Sequence, residues 1–247
     1  MKMWVVFDVD GTLIDVSESY DMAVKLTVEH ILRTFGREER VSLDWVRKLR
    51  SKGAFGDDFK VSEALTLMIL AGEPERLVRE FPRGESVEWV RERLGVALDP
   101  ELIEEVFNTF YLGETYENAL FPFPGLWRKE RALISPELLE KLSERFKLGV
   151  VTGRSKLELR LAEEIIGFRF KNAVTREYGL KPDPSLLWRL VRGEPGVYIG
   201  DTSNDEAFIE NYRRKYGDFD FVMVGRDVKD VEEAARAILD EGLLGLR

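Results

Sequence analysis

The chain has no cysteine and a single histidine, His30. The first absence excludes disulfides, thiolate metal sites and cysteine nucleophiles. The second excludes multi-histidine zinc centres, and His30 itself lies in a helical pattern that marks it as structural. Basic tracts are missing as well. The formal net charge is −9 with both signs interspersed, which predicts no nucleic-acid partner. No run approaches the roughly 18 apolar residues of a membrane span, and Asp8 interrupts the apolar start too early for a signal peptide. The expectation is a cytoplasmic protein with no membrane partner that acts on small molecules, its oligomeric state unspecified. Its 247 residues, 44% of them hydrophobic, suffice for one large domain or a core with an insertion.

What is present falls into two patterns. Residues 3–9 carry the run Trp4-Val5-Val6-Phe7 shortly before Gly11, as a parallel strand buried on both faces does. Residues 148–152, 170–175, 197–200 and 219–224 read the same way, and helices are predicted from 135 onward and over 184–191, 205–216 and 231–239. Between residues 17 and 120 the periodicity predicts helices only. These cover 43–50, 61–71, 75–81, 86–94 and a segment opened by Asp99-Pro100-Glu101, after a first helical pattern over 16–35. A strand, a long helical block and then four βα units predict a doubly wound, Rossmann-like α/β core with an inserted all-α domain. The expected boundaries are 1–16 and 124–247 for the core and 17–123 for the insertion. In such sheets ligands gather beyond the carboxyl ends of the strands, so the residues there matter most.

The first strand ends in Asp8-Val9-Asp10-Gly11-Thr12. At about 3.3 Å per residue the α-carbons of the acids lie roughly 6.6 Å apart and both side chains can project to one side. One can then attack while its neighbour transfers a proton. Aspartate suits phosphoryl transfer because it is ionised near neutral pH and an acyl phosphate hydrolyses readily. The same pair also serves simply to begin a turn. The next strand ends in Thr152-Gly153-Arg154, a hydroxyl followed by a turn whose N–H groups suit a phosphate oxygen. Lys181, stiffened by Pro182 and Pro184, offers an ammonium that neutralises phosphate charge. Last, Gly200-Asp201-Thr202-Ser203-Asn204-Asp205 opens a helix. Asp201 is either its N-cap or, with the carboxylates of the first strand, part of an all-oxygen site suited to Mg2+.

In this order DxD, Thr, Lys and DxxxD resemble the haloacid dehalogenase (HAD) superfamily, and the helical block is similar to its C1-type cap. The resemblance implies Asp8 as nucleophile and Mg2+ ligand, and Asp10 as general acid/base with its carbonyl on the metal. It implies Thr152 and Lys181 at the transferring phosphoryl group, Asp201 as a direct metal ligand, Asp205 as a direct or water-mediated one, and Gly153 and Asn204 as phosphate contacts. The activity implied is Mg2+-dependent hydrolysis of a small-molecule phosphate monoester through an aspartyl-phosphate. A phosphomutase shares all four motifs, and a non-catalytic protein that binds a phospho-ligand keeps the fold. Dehalogenases of the superfamily lack the second aspartate, so Asp10 argues against that chemistry. Residues 50–59 resemble a substrate-specificity loop, which makes Lys52, Phe55, Asp57 and Asp58 candidates for substrate binding. Crossings near 15–17 and 121–125 are the expected hinges.

Overall fold

A computed structural model describes residues 2–242. Its strands are β1 (Trp4–Phe7), β2 (Ile14–Asp15), β3 (Arg131–Ala132), β4 (Lys147–Val151), β5 (Ala173–Val174), β6 (Gly196–Gly200) and β7 (Asp220–Met223). The chain divides into two compact units, Met1–Val16 with Glu130–Arg247, and Ser17–Lys129.

The inserted unit is helical: α1 (Tyr20–Thr34), α2 (Leu43–Lys52), α3 (Asp58–Leu70), α4 (Pro74–Glu80), α5 (Val87–Leu94) and α6 (Pro100–Leu112). Helix α3 lies at its centre. From Val61 to Ile69 every residue of α3 is buried, so it shows little amphipathic contrast. The one acid in that stretch, Glu63, is held by Arg91 Nε at 2.8 Å and Nη2 at 2.6 Å. His30 stacks on Phe121 and meets Phe110 edge-on, a packing role. The unit ends at Lys129 and not near Pro124, because residues Leu126–Lys129 form a 3-10 turn packed on α6 and α1.

The remaining helices are α7 (Pro136–Arg145), α8 (Lys156–Ile166), α9 (Ser185–Val191), α10 (Ser203–Tyr216) and α11 (Val231–Glu241). They cover a five-stranded parallel sheet of order β5-β4-β1-β6-β7. Strand β1 reads WVVF without alternation because both faces of the sheet are covered. Val5 and Phe7 join Leu148, Val150, Val197 and Ile199 beneath α7, α8 and α11, while Trp4 and Val6 turn to α9 and α10 with Val151 and Tyr198. Each such side chain contributes about 1.5–3 kcal/mol by leaving water. The chain runs from β1 to β4 and β5, then crosses to β6 and β7 on the other side. The topological switch point therefore lies between β1 and β6, where a ligand is expected.

One local expectation is corrected. Only Ala173–Val174 of the predicted strand 170–175 pairs with β4, because Phe170 turns inward to pack on Phe7 and Phe168. Helix α8 opens on Leu157, Leu159 and Leu161, which alternate with period two. A capping box between Ser155 and Glu158 fixes it as a helix. No described helix is long and apolar enough to cross a membrane.

Candidate active site

The segment after β1 turns back on itself, with the N–H groups of Leu13 and Ile14 both reaching the Val9 carbonyl. Gly11 sits in this turn at φ 78°, a left-handed conformation that favours glycine. The space above it is taken by Asp201, whose Oδ2 would lie 2.1 Å from a β-carbon at that position. Thr12, fully buried, donates its hydroxyl to Asp201 Oδ1 at 3.1 Å. Two residues of the first motif thus set the position of the fourth motif's carboxylate. Gly11→Ala is accordingly expected to displace Asp201 and cost about 1–3 kcal/mol through the strained backbone. Urea denaturation of the variant checks this, and an unchanged stability would refute it.

Lys181 is nearly buried and makes three contacts: Asp8 Oδ1 at 2.8 Å, Asp205 Oδ1 at 2.6 Å and the Tyr198 hydroxyl at 3.1 Å. Burial works against its charge, but Asp8 and Asp205 outweigh it and hold the ammonium above the ordinary lysine range. Asp205 is the N3 residue of a capping box at the start of α10. Its Oδ2 accepts from the Thr202 hydroxyl at 2.7 Å and the Thr202 amide at 3.1 Å, while Oδ1 takes Lys181. Gly200 makes room for it, since a β-carbon there would come within 2.6 Å of Asp205 Cγ. Because Thr202 is the N-cap, Asp201 is not spent on capping the helix. Asn204 is exposed on the first turn of α10.

Thr152 follows β4 and is buried, and its Oγ1 accepts from the Arg154 amide at 3.1 Å. Gly153 is exposed, with open space where a side chain would stand. Arg154, to which the motif pattern assigns no role, is buried and contacts Asp10 Oδ1 at 2.6 Å.

Asp8, Asp201 and Asp205 each offer a carboxylate oxygen, and the three atoms lie within 4.8 Å of one another. Burial pushes the Asp8 carboxyl up to about 7, with Lys181 pulling down and Asp205 and Asp10 adding to the rise. Burial and the neighbouring Asp205 raise Asp201 as well. For Asp205 burial also acts upward, but Lys181 prevails and holds it below the usual carboxylate range. The cluster thus holds more negative charge than one ammonium balances. An all-oxygen, net-negative set of this kind fits a hard divalent cation such as Mg2+.

A family model for hydrolases, described as haloacid dehalogenase-like hydrolase, matches residues 2–212. The chain belongs to this haloacid dehalogenase-like family. Among solved structures it is similar to phosphatase Tt82 from Thermococcus thioreducens, with 66% identity, 97% of this chain and 100% of that one covered, and a TM-score of 0.94. A HAD-superfamily hydrolase of subfamily IA, variant 1, from Geobacter sulfurreducens shares the fold at 19% identity, with 98% and 96% covered and a TM-score of 0.54. A search of curated proteins gives no match.

Within the inserted unit of this HAD-like hydrolase, the four candidate substrate residues have structural partners. Lys52 Nζ donates to the carbonyls of Val78 at 3.1 Å and Arg79 at 2.8 Å, closing the end of α4. Phe55 is buried and stacks on Phe81. Asp57 caps α3 by accepting from the Lys60 amide at 2.9 Å, and Asp58 pairs with Arg50. Arg50, Phe55, Asp57 and Asp58 line a cavity of about 270 Å³ with Gly53, Gly56 and Val61, and Lys52 is not among its lining residues.

Proposed function

We propose that the chain is a phosphatase that hydrolyses a small-molecule phosphate monoester through an aspartyl-phosphate on Asp8. The observation that carries this reading is the contact of Asp8 with Lys181 at 2.8 Å, at the switch point of the sheet and two residues before a second carboxylate. The 66%-identical relative being a phosphatase supports it.

Asp8 attacks phosphorus, and the ester oxygen leaves with a proton from Asp10. Asp10 then takes a proton from water, the resulting hydroxide attacks the same phosphorus, and the bond to Asp8 breaks to release phosphate. Lys181 offsets the charge gathering on the phosphoryl oxygens. The Thr152 oxygen already accepts from Arg154, so its O–H is left to donate to the phosphoryl group, with the Gly153 amide beside it. Asp205 holds Lys181 in place through Oδ1 and would meet Mg2+ directly or through water. Mg2+ would be held by the Asp8 and Asp201 carboxylates and the Asp10 carbonyl, supplying positive charge that relieves repulsion between Asp8 and an anionic substrate.

Phosphate release from a panel of monoesters is the test, with activity expected in Mg2+, lost in EDTA and restored by Mg2+. No release across the panel would sink the reading. The cation also competes with the proton on Asp8. The folded state holds that proton more tightly than the unfolded chain, so the stability that Asp8 contributes to the metal-free protein is lost as pH rises from about 4 to about 7. Mg2+ is therefore expected to raise Tm more at pH 8 than at pH 5.

A further inference from the structure

Arg154 follows a Thr-Gly turn at the end of β4, where an arginine ordinarily extends into solvent. Here it is 1% exposed. Its Nη2 lies 2.9 Å from Glu130 Oε2, and neither side chain reaches water. Nε donates to Asp10 Oδ1 at 2.6 Å, Nη2 lies 2.6 Å from the same oxygen, and Nη1 reaches the Glu158 carbonyl at 3.3 Å. Asp10 itself remains 31% exposed. A buried ion pair of this kind adds little to stability that apolar side chains of the same volume would not supply. What it supplies is a rigid, planar set of donors. Glu130 balances the guanidinium charge and fixes its plane, and both N–H groups facing Asp10 converge on Oδ1. The other oxygen, Oδ2, is then the one placed for proton exchange.

We propose that Arg154, braced by Glu130, is the positioning residue for Asp10: it grips Oδ1 so that Oδ2 meets the leaving oxygen as the ester bond breaks. The proposal rests on the phosphatase reading. In the step concerned Asp8 bonds to phosphorus, the ester P–O bond breaks, and the proton of Asp10 Oδ2 passes to the departing alkoxide. A p-nitrophenolate leaves without that proton.

The test compares single-turnover release from n-propyl phosphate and from p-nitrophenyl phosphate, which isolates the first step. Arg154→Lys keeps the charge and loses the fork. The double variant Arg154→Met/Glu130→Gln removes both charges, so no buried ion is orphaned if the single variant folds poorly. Either variant is expected to slow alkyl release by about 100-fold or more and aryl release by less than about 5-fold. Equal losses on the two esters, or an unchanged alkyl rate, overturn the proposal and leave the phosphatase reading standing. No release from either ester by the unmodified protein overturns both.

Discussion

Replacing Asp8 with Asn is expected to lower phosphate release by about 10⁴-fold or more while the fold survives intact. The amide keeps the shape of the carboxylate but cannot form the acyl phosphate. The partner network explains why the fold tolerates it. Lys181 retains Asp205 at 2.6 Å, so no ammonium is left unpaired. Burial holds the Asp8 carboxyl up at about 7, which means that forcing it to ionise above that pH costs stability in the metal-free protein. Asp8→Asn removes that cost. Urea denaturation at pH 8 without metal should find the variant at least as stable as the parent, and stability gained from Mg2+ should shrink. Residual turnover above about 1% would remove Asp8 from the role of nucleophile, on the scale expected for losing one.

Lys181→Met is expected to act in the opposite sense on stability. The ammonium lies between Asp8 and Asp205, and its loss leaves two buried carboxylates facing one another. Breaking a buried pair from one side typically costs about 3–5 kcal/mol. That loss should ease as pH falls, because each uncompensated carboxylate then takes up a proton. Turnover should fall by about 10²–10³-fold, the scale for losing one group that stabilises charge in the transition state. Denaturation curves between pH 5 and 8, with kcat measured in Mg2+, check both. A variant equally stable at all pH values would show that Lys181 does not carry the charge balance of the cluster.

How far the residues announced this arrangement differs from element to element. The sheet was legible because a strand covered on both faces has to be apolar throughout, as Trp4–Phe7 is. The motif residues Asp8, Lys181, Asp201 and Asp205 were legible because strand ends in a parallel sheet converge, and the structure brings them together at its switch point. Contacts that depend on distant partners were not. Nothing near Arg154 reveals its burial, which requires Glu130, twenty-four residues earlier, to face it. The link from Thr12 to Asp201 spans 189 residues and has no periodic signature. The capping function of Thr202 was open to inspection in the Thr202-x-x-Asp205 spacing, and it would have freed Asp201 from that duty. Lys52 shows the converse case. Its position in a glycine-flanked loop suggested a ligand, whereas its ammonium closes the end of a helix some twenty-six residues away.

The small ribbon of β2 and β3 pairs Ile14 with Ala132 and Asp15 with Arg131. Entry to and exit from the helical insertion are thereby fastened side by side before the chain departs. In the topology of the sheet the whole insertion is one long hairpin loop. Closing a loop costs entropy only logarithmically with its length, each doubling adding about 0.6 kcal/mol. The ribbon fixes the spacing of the two ends of the insertion, so a change in the insertion's length carries little closure entropy into the sheet beneath.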